Sequence, residues 1–117
     1  MKVNEEHIID ASEKDANGNY DYYYEYDKYE FIFNNFTLIA RSYIEKQEEA
    51  SFFASLINEK REMVMEEQIH SLEMGKAIQH LQTKGKSKFS VLTENGYIPL
   101  VKKPPKPSLL KRLFGHA

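Results

Sequence analysis

Hydrophobic and polar positions near the N-terminus alternate with a period of two, which predicts β-strands. Residues 20–26 place a tyrosine at every second position, with Asp21, Tyr23 and Glu25 between them. Such alternation predicts a half-buried strand whose tyrosine side faces the core and whose acidic side faces water. Residues 3–9 predict a shorter strand, and Asn17-Gly18 between the two is a turn signal. Together these segments predict a first β-hairpin.

A second hairpin is predicted from residues 30–33 and 36–43, joined at Asn34-Asn35. Asparagine tolerates the positive φ angles that tight hairpin turns require. An alternative is a helix, because four apolar residues recur at helical spacing: Ile32, Phe36, Ile39 and Tyr43. The aromatic and β-branched composition favours strands.

The composition changes at Glu45, and residues 45–84 are mostly helix-forming residues without proline. We predict one long helix or a helical pair here, with a stop at Lys84-Gly85. The later apolar residues lie on two sides of such a helix. Either the helix is shared with a second copy in a homodimer, or Gly75 marks a change of direction. A first apolar face would comprise Phe52, Phe53, Leu56 and Ile57.

The last hairpin is predicted from residues 88–92 and 97–101, with Asn95-Gly96 at the turn. Pro99 cannot donate to a strand ladder, so its strand should lie at an edge. A short helix over residues 90–95 is the alternative. The expected fold is therefore α+β, with N-terminal antiparallel hairpins packed on the helix or helical pair and a short C-terminal hairpin after it. Residues 1–103 would form a single domain, and residues 104–117 a proline-rich linker with an extended basic, apolar tail.

The cysteine content, the apolar runs and the charge distribution restrict the class of protein to which this chain can belong. The chain of 117 residues contains no cysteine, which excludes disulfides and thiolate metal sites. Its apolar runs are too short for a secretory signal or a transmembrane helix, so we expect a cytoplasmic protein. Acidic residues dominate positions 1–50, with 12 Asp and Glu against 5 Lys and Arg, whereas residues 85–117 carry 1 against 7. This distribution predicts a dipolar surface.

The acidic tyrosine segment is the strongest candidate for a binding surface. Tyrosine offers a large contact area at low conformational cost and is enriched at protein interfaces. A purely structural role as a sheet face packed on the helix would explain the alternation equally well. The candidate contact residues in this segment are Tyr22, Tyr23, Glu25 and Asp27.

The C-terminal tail supplies a second set of candidates: Leu109, Leu110, Lys111, Arg112, Leu113 and Phe114. On a helix the apolar members share one face beside the two cations, which suits a partner's groove or an anionic membrane surface. The alternative is an apolar segment folded back onto its own domain. The tail's cations could also contact phosphates, but the acidic remainder of the chain makes nucleic-acid binding unlikely.

Four residues form a weak metal-ligand pattern: Glu66, His70, Glu73 and His80. On a continuous helix they fall within an arc of about 80°, and carboxylate with imidazole can bind a metal. A solvated polar stripe is the favoured interpretation, because only a second copy could supply facing ligands. His7 and His116 lie near the termini without evident partners, and we expect surface positions for both.

No catalytic motif or cofactor fingerprint occurs in the sequence, and we expect no cofactor. The sequence favours a small non-enzymatic protein that binds another protein, of the inhibitor, immunity or adaptor type, through the acidic tyrosine surface. Peripheral membrane association through the tail is the alternative. Metal-dependent activity at the Glu and His pattern ranks third.

Overall fold

Seven β-strands and two α-helices account for most of residues 1–100, which are the residues that the computed structural model describes. The strands are β1 (Lys2–Ala11), β2 (Tyr23–Ile32), β3 (Thr37–Tyr43), β4 (Glu49–Ile57), β5 (Lys60–Glu62), β6 (Lys88–Thr93) and β7 (Gly96–Pro99). The helices are α1 (Glu66–Ile69) and α2 (Leu72–Thr83). The predicted mixed α+β class is confirmed.

All seven strands belong to one sheet with the order β1-β2-β3-β4-β6-β7, and β5 pairs with the end of β4. The β4–β6 pair is parallel, whereas each of the other pairs is antiparallel. A parallel pair requires a crossover connection, and β5, α1 and α2 together provide it. This crossover places the helices on one face of the sheet.

Both predicted N-terminal turns are confirmed, but the two hairpins share one continuous strand, β2, instead of having separate strands over residues 20–26 and 30–33. Gly18 adopts φ 81° at the first turn, where the Asp15 carboxylate accepts the backbone N–H groups of Asn17 and Asn19 at 2.8 and 2.9 Å. At the second turn the Phe33 N–H donates to the Phe36 carbonyl at 3.0 Å. The alternative helix through Ile32 and Tyr43 is therefore wrong.

The predicted helix over residues 45–84 is wrong in its first half. A 3-10 turn at Ile44–Lys46 leads into strand β4, and helical structure starts only at Glu66. Ala50 and Phe52 belong to the buried core, whereas Ser51 and Phe53 are only partly buried, which is the period of a strand. Pairing with β3 on one side and β6 on the other satisfies the backbone of this segment, so tertiary contacts override its helical composition.

The second half of that segment is helical but interrupted. The helices α1 and α2 are separated at His70-Ser71, where the Ser71 hydroxyl caps α2 by accepting the Met74 N–H at 3.1 Å. The predicted stop is confirmed, because Gly85 adopts φ 86° and the Lys86 N–H bonds back to the Leu81 carbonyl at 3.0 Å. Each helix is too short and too polar to cross a membrane within residues 1–100.

The hydrophobic core lies between the sheet and α2. Phe31, Leu38 and Phe52 from neighbouring strands are completely buried, and Met74, Ala77 and Leu81 of α2 cover them. One α2 face thus supplies residues at i, i+3 and i+7, the spacing of an amphipathic helix. The core fixes which side of each strand faces inward.

The C-terminal hairpin is confirmed as β6 and β7, and Pro99 lies in the edge strand β7 as expected. The alternative helix over residues 90–95 is wrong. The predicted domain boundary at residues 103–104 and the predicted tail lie outside the described residues.

Phe52 and Phe53 provide a matched pair for testing the strand assignment of β4. Phe52→Ala should lower the free energy of unfolding by about 3–5 kcal/mol, because Phe52 is completely buried. Phe53→Ala should cost clearly less, since Phe53 is only half-buried. Urea denaturation of both variants measures the difference. Equal losses would contradict the opposite environments that the strand gives these neighbours.

Candidate functional site

The register of the sheet assigns each strand residue to one of two faces. Phe31 pairs with Leu38 and Tyr29 with Ala40, and all four belong to the core beneath α2. Because side chains alternate along a strand, the intervening residues of β2 and β3 point to the opposite face. We call this opposite side the outer face.

Arg41 of β3 occupies the centre of the outer face. Its guanidinium carbon lies 4.8 Å from the ring centre of Phe53, 5.2 Å from that of Tyr43 and 5.7 Å from that of Tyr26. The Arg41 Nη2 group also donates a hydrogen bond to the Tyr97 hydroxyl at 3.1 Å. One cation therefore connects strands β2, β3, β4 and β7 across this face.

Tyrosine rings extend the cluster toward the first hairpin. Tyr26 and Tyr24 contact Tyr43 with ring centres 5.5 and 6.3 Å apart, and Tyr22 stacks on Tyr24 at 6.0 Å. We define the outer aromatic face by its seven members: Tyr22, Tyr24, Tyr26, Arg41, Tyr43, Phe53 and Tyr97. Aromatic pairs in this distance range contribute about 0.5–1.5 kcal/mol beyond their burial.

The electrostatics of the outer aromatic face depend on Arg41. Burial raises the pKa of Tyr43, and the nearby Arg41 charge opposes that shift. A second guanidinium, that of Arg61 in β5, lies 5.3 Å from the Phe53 ring centre. Within residues 1–100 the buried Arg41 Nε has no hydrogen-bond partner, so ring contacts and the Tyr97 bond hold this side chain. The face combines exposed rings with positioned cations.

The expectation that the even-numbered tyrosines face the core is wrong. Tyr22 and Tyr24 remain 47% and 52% exposed, and Tyr20 is 43% exposed. The core side of β2 is set further along the strand by Tyr29 and Phe31. Alternation correctly placed Tyr22, Tyr24 and Tyr26 on one side, but Tyr20 contacts Tyr23 of the other side, and the pattern contained no information on which side α2 covers.

A cluster of polar side chains lies on the other face of the sheet, which is the helix side. It belongs to the first hairpin and lies outside the hydrophobic core. His7 of β1 sits opposite Asp27 of β2, and its Nδ1 lies 2.7 Å from an Asp27 carboxylate oxygen. The His7 Nε2 lies 2.7 Å from Glu25, whose other oxygen accepts the Tyr23 hydroxyl at 2.9 Å. The expectation that His7 lacks convergent partners is therefore wrong.

The pKa values in this cluster shift together. Hydrogen bonds to Asp27 and then Glu25 raise the pKa of His7 above 6.5. The Tyr23 hydroxyl and then His7 lower the pKa of Glu25, while the bond to Glu25 raises the pKa of Tyr23. An imidazolium that donates from both nitrogens satisfies both carboxylates. The hydrogen bonds of His7 to Asp27 and Glu25 therefore link β1 to β2 near the exposed end of the hairpin.

The four candidate residues of the acidic tyrosine segment therefore divide between two surfaces. Tyr23, Glu25 and Asp27 are brought together around His7, whereas Tyr22 belongs to the outer aromatic face. Tyr20 joins the first group, since its ring centre lies 5.2 Å from that of Tyr23.

The four metal-ligand candidates do not share a continuous helix. Glu66 and His70 belong to α1 and its end, and Glu73 and His80 belong to α2. His80 instead lies 3.3 Å from Glu5 of β1 and packs edge-on against Phe31. Among the residues that the structure describes, no group of three His, Asp or Glu side chains has metal-binding geometry. The six tail candidates, Leu109 to Phe114, lie outside the described residues.

The residues missed by sequence reasoning were Arg41, Phe53 and Tyr97. A signal existed for Arg41, because it shares strand parity with Tyr43 in a segment predicted as a strand. Phe53 was assigned to a helix, and the contact of Tyr97 with Arg41 spans 56 residues of sequence. Such a contact requires the strand order, which the sequence pattern does not contain.

Comparisons with protein-family models, curated proteins and solved structures find no match to this chain.

The His7 cluster predicts a measurable titration. By NMR, the His7 pKa should lie above 6.5, and Asp27→Asn should lower it more than Glu25→Gln because the Asp27 bond is the larger cause. The stability that protonated His7 contributes should be complete below pH 6.5 and lost as the pH rises through the raised pKa. The contribution of Glu25 should be lost as the pH falls through its lowered pKa.

Tyr23→Phe is a control for the Asp27 and Glu25 variants and should leave the His7 pKa above 6.5. Tyr23→Phe removes the hydroxyl that lowers the Glu25 pKa but leaves both His7 hydrogen bonds in place. Titration of His7 at its ordinary value in the unmodified protein would contradict this geometry.

Proposed function

We propose that the protein is a small non-enzymatic binding protein that recognises another protein through the outer aromatic face. The observation that carries the proposal is the cluster of tyrosine and phenylalanine rings around Arg41 on the sheet face opposite α2. Inhibitor, immunity and adaptor proteins are the functional types to which this mode of action belongs.

The residue types of the outer aromatic face support the proposal that its partner is a protein. Tyrosine and arginine are enriched at the energetic centres of protein interfaces. Tyr22, Tyr24 and Tyr97 are each roughly half exposed, with values of 47%, 52% and 47%. Their rings therefore retain apolar area that a partner can bury, while their hydroxyl groups remain able to form hydrogen bonds.

Pre-organisation also supports the proposal. Strands hold Tyr24, Tyr26, Arg41 and Tyr43 on a rigid sheet, and ring contacts restrict the side chains before any partner arrives. Binding to a fixed surface costs less side-chain entropy than binding that must order loose groups. A face whose side chains already contact one another is suited to binding the surface of a partner.

The cations indicate the chemistry of the partner surface. Arg41 and Arg61 both lie against the Phe53 ring. Guanidinium groups over aromatic rings retain donors for carboxylates or backbone carbonyls. We therefore propose a partner that presents apolar or aromatic side chains beside an acidic residue.

Capture from a native lysate by the immobilised full-length protein tests this proposal. Tyr24→Ser and Tyr97→Ser should each weaken retention of a captured protein at least about tenfold, since interface hot spots cost about 2 kcal/mol or more. Leu72→Ser is the matched control, because Leu72 is 83% exposed on the helix side. Quantitative mass spectrometry of the retained proteins, after nuclease treatment of the lysate, provides the measurement.

Two results would contradict the proposal. Equal retention by the outer-face variants and the Leu72 variant would place recognition elsewhere. Capture that disappears with nuclease treatment would indicate a nucleic-acid partner. Circular dichroism melting of each variant checks that the substitutions leave the fold intact, as expected for exposed positions.

A further inference from the structure

An apolar groove lies on the helix side, between the helices and the C-terminal hairpin. It encloses about 1110 Å³ and is lined by α1, α2, β6, β7 and the segment before α1. Its apolar lining includes Ile69, Ile78, Phe89, Val91, Ile98 and Leu100. Met63, Met65 and Ile98 are 41%, 41% and 43% exposed at this site. The groove is thus a substantial apolar surface apart from the outer aromatic face.

The groove has an acidic border. Glu66, Glu67 and Glu94 line it, and within residues 1–100 neither lysine nor arginine does. An apolar groove bordered by carboxylates suits an apolar segment that carries positive charge.

The last described residue, Leu100, lies at this groove. The Leu100 N–H donates to the Phe89 carbonyl at 2.8 Å, and both residues line the groove wall. From Leu100 to Leu109 there are nine residue steps, which can span at most about 30 Å. Helix α2 has 12 residues and is therefore about 18 Å long. The remaining sequence is long enough to return along the groove.

We propose that residues 108–115 of this same chain occupy the groove. Leu109, Leu110, Leu113 and Phe114 provide the apolar contacts, and Lys111 and Arg112 face the glutamates. A short tether gives such a segment an effective concentration in the millimolar range. Modest intrinsic affinity is therefore sufficient for occupancy, and the inference stands independently of the outer aromatic face.

A paramagnetic label on the tail tests the proposal directly in the full-length protein. The sequence has no cysteine, so His116→Cys provides a single attachment site. The label should broaden the methyl signals of Ile69, Ile78 and Ile98 and leave those of Ile8 and Ile44 unchanged. Added Leu113→Asp and Phe114→Asp substitutions should abolish the broadening. The matched pair Ser108→Asp and Gly115→Asp adds the same charge and should preserve it.

Mixed samples distinguish the occupant. Spin-labelled protein without isotopes is combined with isotope-labelled protein that carries no spin label. Broadening confined to molecules that carry both labels is the expected result. Broadening in the mixed sample would mean that a second copy fills the groove and would overturn the proposal. Unaffected groove methyls would overturn it as well, and salt-sensitive binding of that tail to anionic vesicles would then assign it to a membrane surface.

Discussion

The pairing of β3 with β4 determines both surfaces of this protein. Ala40 pairs with Phe52, and Ile39 pairs with Ala54, so the register shifts by one residue at Phe53. A bulge of this kind bends a strand and redirects a side chain. Phe52 is buried beneath α2, while the ring of Phe53 meets the Arg41 guanidinium on the outer face. One local irregularity thus supplies a core anchor and a ring of the proposed binding surface.

The two faces of the sheet are stabilised in different ways. The helix side excludes water from Phe31, Phe52 and Met74, and the free energy of that burial is mainly hydrophobic. The outer face keeps its rings partly hydrated and holds them by contacts with Arg41 and one another. Substitutions of the exposed tyrosines on the outer face should consequently cost little stability, so the proposed binding role can be tested separately from folding.

Local signals predicted the hairpins. The Asn17-Gly18 and Asn34-Asn35 turns, the Gly85 helix stop and the edge position of Pro99 follow from backbone preferences of short segments. The helix or helical pair predicted for residues 45–84 is wrong over residues 49–57, because β4 is stabilised there by β3 and by the distant strand β6. The alternation of Ala50 and Phe52 with Ser51 and Phe53 was present in the sequence, but helix-forming neighbours such as Glu45, Lys46 and Gln47 concealed it.

The candidate site was predictable only in part. Alternation correctly grouped Tyr22, Tyr24 and Tyr26, but the side covered by the helix depends on Tyr29 and Phe31. The positions of Arg41 and His7 follow from pairing between strands, since Arg41 reaches Tyr97 and His7 reaches Asp27 through the register of the sheet. Sequence periodicity assigns residues to faces, whereas the contacts within a face require the strand order.

Chemical footprinting of tyrosines can identify the face that a partner covers, because the free protein has exposed tyrosines on both faces. Tyr22, Tyr24 and Tyr97 are 47%, 52% and 47% exposed on the outer face, and Tyr20 and Tyr23 are each 43% exposed beside the His7 cluster. Nitration of the protein, free and bound to its captured partner, compares these positions within one sample. We expect a bound partner to protect Tyr22, Tyr24 and Tyr97 and to leave Tyr20 and Tyr23 reactive. Protection of Tyr20 and Tyr23 alone would contradict this expectation and would place the partner on the opposite surface.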